Sequence, residues 1–264
     1  MAIRKLIKEI TPSAIGQLYR KSKIRAERSH FSVMSTADVF DEIYRKKLWG
    51  NGTDGELYSG SGSRGAAARQ YVDAVTTFIN DHAVDSILDI GCGDFYIGKA
   101  IIERLGQRVN YTGMDVSPYV IAYNREHYSI PNVSFVCLDA AKDELPCADI
   151  CLVRQVFQHL SNQQISAILR KLICFKWVLI TEHYPDDDRL LIENLDKPHG
   201  EDTRLRENSA VYIDRPPFNL KDVKTLFEVR ADIVPGVLRT LLVTPGGDAQ
   251  GQRAKQADEC RRKP

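Results

Sequence analysis

Ser86-Ile-Leu-Asp-Ile-Gly-Cys-Gly-Asp-Phe-Tyr-Ile-Gly98 is an apolar run that meets two glycines and then turns helical. Ile87, Leu88 and Ile90 read as a buried strand. Gly91 and Gly93 read as the tight turn that closes it, and a helix opens from about Ile97. Glycines there permit backbone dihedrals that a side chain forbids, and let the chain pass close to a ligand. One Gly-x-Gly is a weak signal. Two further short strands follow at suitable distances: Tyr111-Thr-Gly-Met-Asp115 and Val133-Ser-Phe-Val-Cys-Leu-Asp139-Ala140.

Three acids, Asp89, Asp115 and Asp139, thus fall at or near the carboxyl ends of successive strands. In an open α/β sheet that edge is where ligands bind. Asp115 can accept both hydroxyls of a ribose, and Asp139 can accept an adenine amino group. Taken singly, each acid could instead cap the helix that follows. A nicotinamide fingerprint needs Gly-x-Gly-x-x-Gly, and Gly98 comes too late to complete one.

As a set these residues resemble the class I S-adenosylmethionine-dependent methyltransferases. The matching stretches are Leu88-Asp-Ile-Gly-Cys-Gly93, Gly113-Met-Asp115, Phe135-Val-Cys-Leu-Asp139 and Asp149-Ile-Cys-Leu-Val-Arg-Gln-Val-Phe-Gln-His-Leu160. The resemblance implies a Rossmann-like α/β fold: a seven-stranded sheet, helices on both faces and a C-terminal β-hairpin. It implies S-adenosyl-L-methionine as cofactor, held by Trp49, Asp89, Gly91, Cys92, Gly93, Asp115, Val116, Asp139, Ala140 and Arg154. His159 is the first candidate for a general base, because an unperturbed histidine titrates near pH 6.5. His183, just past the fifth strand, is its rival. Family members also carry a histidine in the 154–159 stretch as a structural residue.

A narrower likeness rests on Asp41-Glu-Ile-Tyr44, Trp49-Gly50, Ser59-Gly-Ser-Gly-Ser63 and Asp94. These look like a bacterial subgroup associated with sugars and surface polysaccharides. It implies an N-terminal segment folded over the cofactor, and O-methylation of a sugar or glycan hydroxyl. O- or N-methylation of a small metabolite stays open as an alternative, as does a cofactor-binding partner protein without catalysis.

Composition bounds the rest. The 264 residues suit one α/β domain with extensions. No apolar run approaches about 18 residues, and the first 30 residues lack a secretory h-region. The expected location is cytoplasmic. Six cysteines show neither Cys-x-x-Cys nor metal spacing with histidine, so reduced thiols and no metal are expected. Residues 1–30 carry +6 and residues 249–264 carry +3. The whole chain is +1, which leaves the middle acidic and argues against nucleic acid. Ile3, Leu6, Ile7 and Ile10, then Ile15, Leu18 and Tyr19, suggest basic amphipathic helices within residues 1–34. Residues 1–28 would either lie on the inner face of a membrane or pack on the domain or a second subunit. The oligomeric state stays open.

The main domain is expected over residues 35–244. Ser35-Thr-Ala-Asp38 resembles a capping box before a stripe of Val39, Phe40, Ile43, Tyr44 and Leu48. A Gly/Ser-rich loop, residues 50–65, leads to Ser63 as the cap of a helix over 66–82. Strand four is expected at 148–153. Ser161-Asn-Gln-Gln164 opens the next helix, and strand five follows at 177–181. Residues 182–218 form an insertion too long for a simple connection, expected to cover an acceptor. Within it Asp186-Asp187-Asp188 reads as a surface turn, with magnesium as the rarer alternative. Asn219 would cap a helix bearing Val223, Leu226 and Phe227. A hairpin of 229–234 and 237–243 turns at Pro235-Gly236, and 245–264 form a disordered tail.

Overall fold

The computed structural model describes residue 26 and residues 28–172, 174–186 and 192–244. The amphipathic helices read around residues 3–10 and 15–19, the tail 245–264, Asp187 and Asp188 lie outside the described residues. The apolar run quoted above is β1 (Ser86–Ile90). It pairs in parallel with β2 (Asn110–Asp115) and β4 (Ile150–Arg154). Beyond them lie β3 (Val133–Cys137) and β5 (Trp177–Tyr184), also parallel. A small second sheet joins β6 (Ile192–Glu193) to β7 (Ser209–Ala210). β8 (Val223–Arg230) and β9 (Val237–Val243) form the closing hairpin, with β9 antiparallel to β5. The main sheet has seven strands in the order β3-β2-β1-β4-β5-β9-β8.

The central strands β1, β4 and β5 are buried on both sides, so apolar residues alternate between two cores. Leu88, Ile90, Met114, Cys151, Val153 and Val178 pack under α1 (Thr36–Arg45) and a later helix spanning Asn162–Leu172. Ile87, Tyr111, Ile150, Leu152 and Leu179 pack under α2 (Gly65–Asp81) and α3 (Tyr96–Leu105). α4 (Pro118–His127) follows β2, and the helix spanning Asn162–Leu172 is α5. The expected Rossmann-like sheet with helices on both faces is therefore the fold.

Local chemistry sets the helix ends. Ser35 Oγ accepts from Asp38 N at 3.2 Å. Gln164 Oε1 accepts from Ser161 N at 3.0 Å while Ser161 Oγ accepts from Gln164 N at 3.3 Å, a reciprocal capping box. Ser63 is not the cap of α2: Arg64 occupies that position, and Ser63 Oγ donates to Gly60 O instead. The first turn of α2 is met from far away, by Asp232 Oδ2, which accepts from Ala67 N at 3.0 Å. Leu48 lies beyond α1 and is exposed.

The helix expected after Asn219 is strand β8. Asn219 and Asp222 adopt φ of 50° and 57°, left-handed turn positions that asparagine and aspartate tolerate. From Val223 the chain alternates, with Val223, Phe227 and Val229 the less exposed residues. A bulge between Thr225 and Phe227 shifts the register by one, which gave 223, 226 and 227 a helical spacing. β5 also runs to Tyr184, three residues past its expected end, so Glu182 and His183 belong to the sheet.

Candidate active site

Gly91 and Gly93 have φ of 71° and 53°. A Cβ on Gly91 would stand 2.5 Å from Val156 Cγ2, and one on Gly93 2.3 Å from Ser59 Oγ. Gly91 N and Cys92 N both donate to Met114 O, at 2.7 and 3.0 Å, tying the turn to β2. Asp115, the last residue of β2, accepts from Gly93 N at 3.1 Å and from Ser117 N at 3.0 Å. Burial outweighs these donors and raises its carboxyl pKa to about 6. Asp89 sits one residue before the end of β1 and accepts from the Tyr111 hydroxyl, and burial raises it also to about 6. Asp139 lies two residues past β3. Its Oδ1 accepts from Ala141 N at 3.0 Å, and its other oxygen is 3.1 Å from Lys142 Nζ.

A cavity of 390 Å³ opens over this carboxyl edge. It is lined by Trp49, Asp89, Gly91, Cys92, Gly93, Asp115, Val116, Asp139, Ala140 and Arg154, and by both His159 and His183. The structure thus brings every candidate site residue to one place. The volume is in the usual range for small-molecule sites. A side chain at either glycine would strike Val156 or Ser59, so the turn keeps its tight path at the cavity floor, and Arg154 Nε is buried without a partner. These features suit S-adenosylmethionine, with Asp115 and Asp139 available to its ribose and adenine.

The bonds that hold the walls were not visible in the sequence. Asp94 Oδ2 accepts from Ser59 N at 3.0 Å and Arg64 Nη2 at 2.9 Å, while Asp94 N donates to Ser59 Oγ at 2.7 Å. The Gly/Ser-rich loop is therefore pinned to the glycine turn. Arg154 Nη2 donates to Gly62 O at 2.6 Å, and its guanidinium lies 4.8 Å from the Tyr71 ring centroid. Trp49 Nε1 donates to Glu201 O at 3.2 Å, so the segment that follows α1 meets the insertion at the cavity. The insertion is anchored by Arg28, whose guanidinium pairs with Asp202 at 2.6 Å and Glu207 at 2.7 Å. Arg28 is thus a structural base rather than free surface charge. Glu201, Thr203, Leu205 and Arg206 line the cavity from the insertion side.

The histidines differ. His159 Nδ1 is 3.2 Å from Gly200 O, and Nε2 is 3.3 Å from Gln158 Nε2. The carbonyl partner assigns the proton to Nδ1, leaving Nε2 as an acceptor. Burial, followed by the nearby Lys197 ammonium, pushes His159 down to about 3. It is neutral at working pH, so the ordinary titration near 6.5 does not apply. His183 is buried on β5, its pKa also lowered by burial, and its Nε2 has no hydrogen-bond partner. Among the described residues, no group of three or more His, Cys, Asp or Glu side chains could hold a metal.

One test of the floor concerns Asp115. Asp115→Ala is expected to weaken S-adenosylmethionine binding by about 1.5–3 kcal/mol, the usual worth of hydrogen bonds to a charged group. The ionised carboxylate is the better acceptor for ribose hydroxyls. With its pKa raised to about 6, wild-type affinity should be full above pH 7 and fall as pH drops through 6. Titration calorimetry from pH 5 to 8 checks both. Unchanged affinity in the variant would remove Asp115 from the site.

Residues 87–174 match a family profile described as a methyltransferase domain. Over 59 residues the chain is 39% identical to malonyl-(acyl-carrier protein) O-methyltransferase of Acetivibrio thermocellus. That stretch is 22% of this chain and spans only a fifth, 20%, of the relative. Among solved structures, the chain resembles human N-acetylserotonin methyltransferase in complex with S-adenosylmethionine. The TM-score is 0.51 at 16% identity, covering 81% of this chain and 61% of that one. It also resembles magnesium protoporphyrin IX methyltransferase of Synechocystis with bound S-adenosylmethionine, at TM-score 0.50 and 14% identity, covering 80% and 97%. At such identities the likeness is one of fold. The profile and the fold agree: residues 87–174 match a methyltransferase domain, and the sheet around them is the fold of the methyltransferases that the chain resembles.

Proposed function

We propose that the whole chain is an S-adenosylmethionine-dependent methyltransferase acting on a hydroxyl of a sugar or glycan. The observation that carries the reading is a group of uncharged hydrogen-bonding side chains on the cavity wall. Gln158, Gln164, His159, His183 and Thr203 all line it, beside the flat face of Trp49. Gln158 Oε1 is buried there without a partner, as an acceptor awaiting a donor. Uncharged amides and imidazoles suit an uncharged acceptor rich in hydroxyls. The Acetivibrio relative is named an O-methyltransferase, which supports transfer to oxygen.

S-adenosylmethionine, when bound, supplies a methyl carbon already activated by its sulfonium. The chain's own part is placement. Asp115 and Asp139 fix the nucleoside end, the glycine turn sets the depth, and the insertion and Trp49 exclude water. Holding two reactants in line contributes roughly 7–11 kcal/mol of barrier lowering. The acceptor hydroxyl would lose its proton as its oxygen takes the methyl group and leaves S-adenosylhomocysteine; His183 Nε2, which has no partner, would accept that proton, while His159, held down to about 3, would align the hydroxyl.

Labelled S-adenosylmethionine tests the acceptor class. The panel holds nucleotide-activated sugars, lipid-linked glycan precursors, phenols and small carboxylates. Label in the glycan or sugar fraction is the expected result. Label confined to phenols or carboxylates would overturn the acceptor assignment and favour a metabolite methyltransferase. Calorimetric cofactor binding with no label transferred would instead favour a non-catalytic binding protein. Among the described residues, no helix is long and apolar enough to cross a membrane.

A further inference from the structure

Glu182 occupies the inside of β5 with 1% of its surface exposed. Its Oε1 accepts from Phe157 N at 2.8 Å and its Oε2 from Gln158 N at 3.2 Å. Those two N–H groups open the 3₁₀ turn Phe157–His159, whose leading residue Val156 supplies no side-chain cap. The turn carries Gln158 and His159, both on the cavity wall. From the other side it is held by the insertion, through Gly200 N donating to His159 O at 3.0 Å. A buried carboxylate is costly to keep unless its partners need a charged acceptor. Here a glutamine could serve only one of the two N–H groups, because its amide nitrogen would face the other.

We propose that Glu182 is a positioning residue for methyl transfer, its carboxylate fixing the turn that presents Gln158 and His159 to the acceptor. The catalytic arm of this proposal rests on the methyltransferase reading; the structural arm does not. The groups facing Glu182 are Arg204 from the insertion, Arg154 from β4, its strand neighbour Tyr184, and the backbone N–H groups of residues 156–158. Burial outweighs these donors and raises the carboxyl to about 7.

The sign follows. Below pH 7 the protonated group turns one oxygen into a donor and loses a backbone bond, so the turn is fully capped only above pH 7. Global stability moves the other way. A carboxyl whose folded pKa lies above its unfolded value of about 4.5 makes folding less favourable as pH rises through that window. Glu182→Gln should therefore not lower the melting temperature at pH 8, although it loosens the turn.

The experiment uses the full chain with Trp177→Phe, leaving Trp49, whose ring centroid is 5.1 Å from that of His159. Its emission should change with a midpoint near pH 7. Glu182→Gln should abolish that transition, and Glu182→Asp should keep one at a shifted midpoint. Affinity for S-adenosylhomocysteine at pH 8 should stay within about threefold of the parent. With a labelled acceptor in hand, kcat of Glu182→Gln should fall tenfold or more, and the rise of activity through pH 7 should flatten. The same Trp49 midpoint in Glu182→Gln, or undiminished turnover, would overturn the proposal. If no acceptor is labelled, the methyltransfer reading fails on its own, and the emission titration still decides whether Glu182 holds the turn.

Discussion

Gly93→Val is expected to abolish S-adenosylmethionine binding while leaving the far-ultraviolet circular dichroism of the sheet unchanged. Gly93 sits at φ 53°, where a residue with a Cβ costs about 1–2 kcal/mol. The added Cβ would also lie 2.3 Å from Ser59 Oγ and 3.0 Å from both Ser59 Cβ and the Tyr44 hydroxyl. Neither neighbour is free to move. Ser59 is bonded through both backbone and hydroxyl to Asp94, and Tyr44 is buried in α1. Relief therefore has to come from the turn itself, which would break the 3.1 Å bond from Gly93 N to Asp115. Floor and wall of the site shift together, so the loss should exceed that of Asp115→Ala. Gly93→Ala, with the same φ strain but less bulk, should fall between. A dissociation constant for the valine variant within tenfold of wild type, by calorimetry, would sink the placement of the cofactor.

That turn was readable from the sequence because strand, glycine turn and helix are contiguous, and glycine's dihedral freedom is a local property. The acids at strand ends were readable for the same reason. Local reading misled at β8, where one bulge turned a period of two into an apparent helical spacing. It also misled at Ser63, because the actual partner of the α2 first turn, Asp232, is 165 residues away from Ala67. The residues that complete the site share this trait. Asp94 and Ser59 enter through the narrower likeness, but the bonds that join them to each other and to Arg64 are delivered by the fold. Glu182 was placed in the insertion because the last three residues of β5 alternate polar and apolar poorly. Its meaning comes from β4 lying alongside. No spacing in one sequence announces pairings such as Arg28 with Asp202, yet these seat the insertion over the cavity.

Among single substitutions that leave the cofactor bound, His159→Ala should have the largest effect on turnover. The imidazole is neutral, with Nδ1 committed to Gly200 O and Nε2 turned to the Gln158 amide at the cavity wall. At about 3 the imidazole is too weak a base to hold the hydroxyl proton, so its part is to align the hydroxyl at that wall, where misplacing the reactants costs about 10²-fold in rate. A fall in kcat of roughly 10² or more is expected, with S-adenosylhomocysteine affinity within about threefold of wild type. The pH profile separates the possible roles. A histidine at its ordinary pKa would impose an inflection near 6.5 that disappears with the side chain. His159, held down to about 3, imposes none in the working range. The rise of wild-type activity between pH 5 and 8 should instead follow Asp89 and Asp115, each at about 6, and Glu182 at about 7. That rise should survive in His159→Ala at a lower level. Undiminished turnover would remove His159 from the alignment of the hydroxyl and leave the wall's part to His183, whose Nε2 lacks a partner. If His183→Ala were equally silent, alignment of the hydroxyl with the methyl group would carry the reaction without a side-chain base.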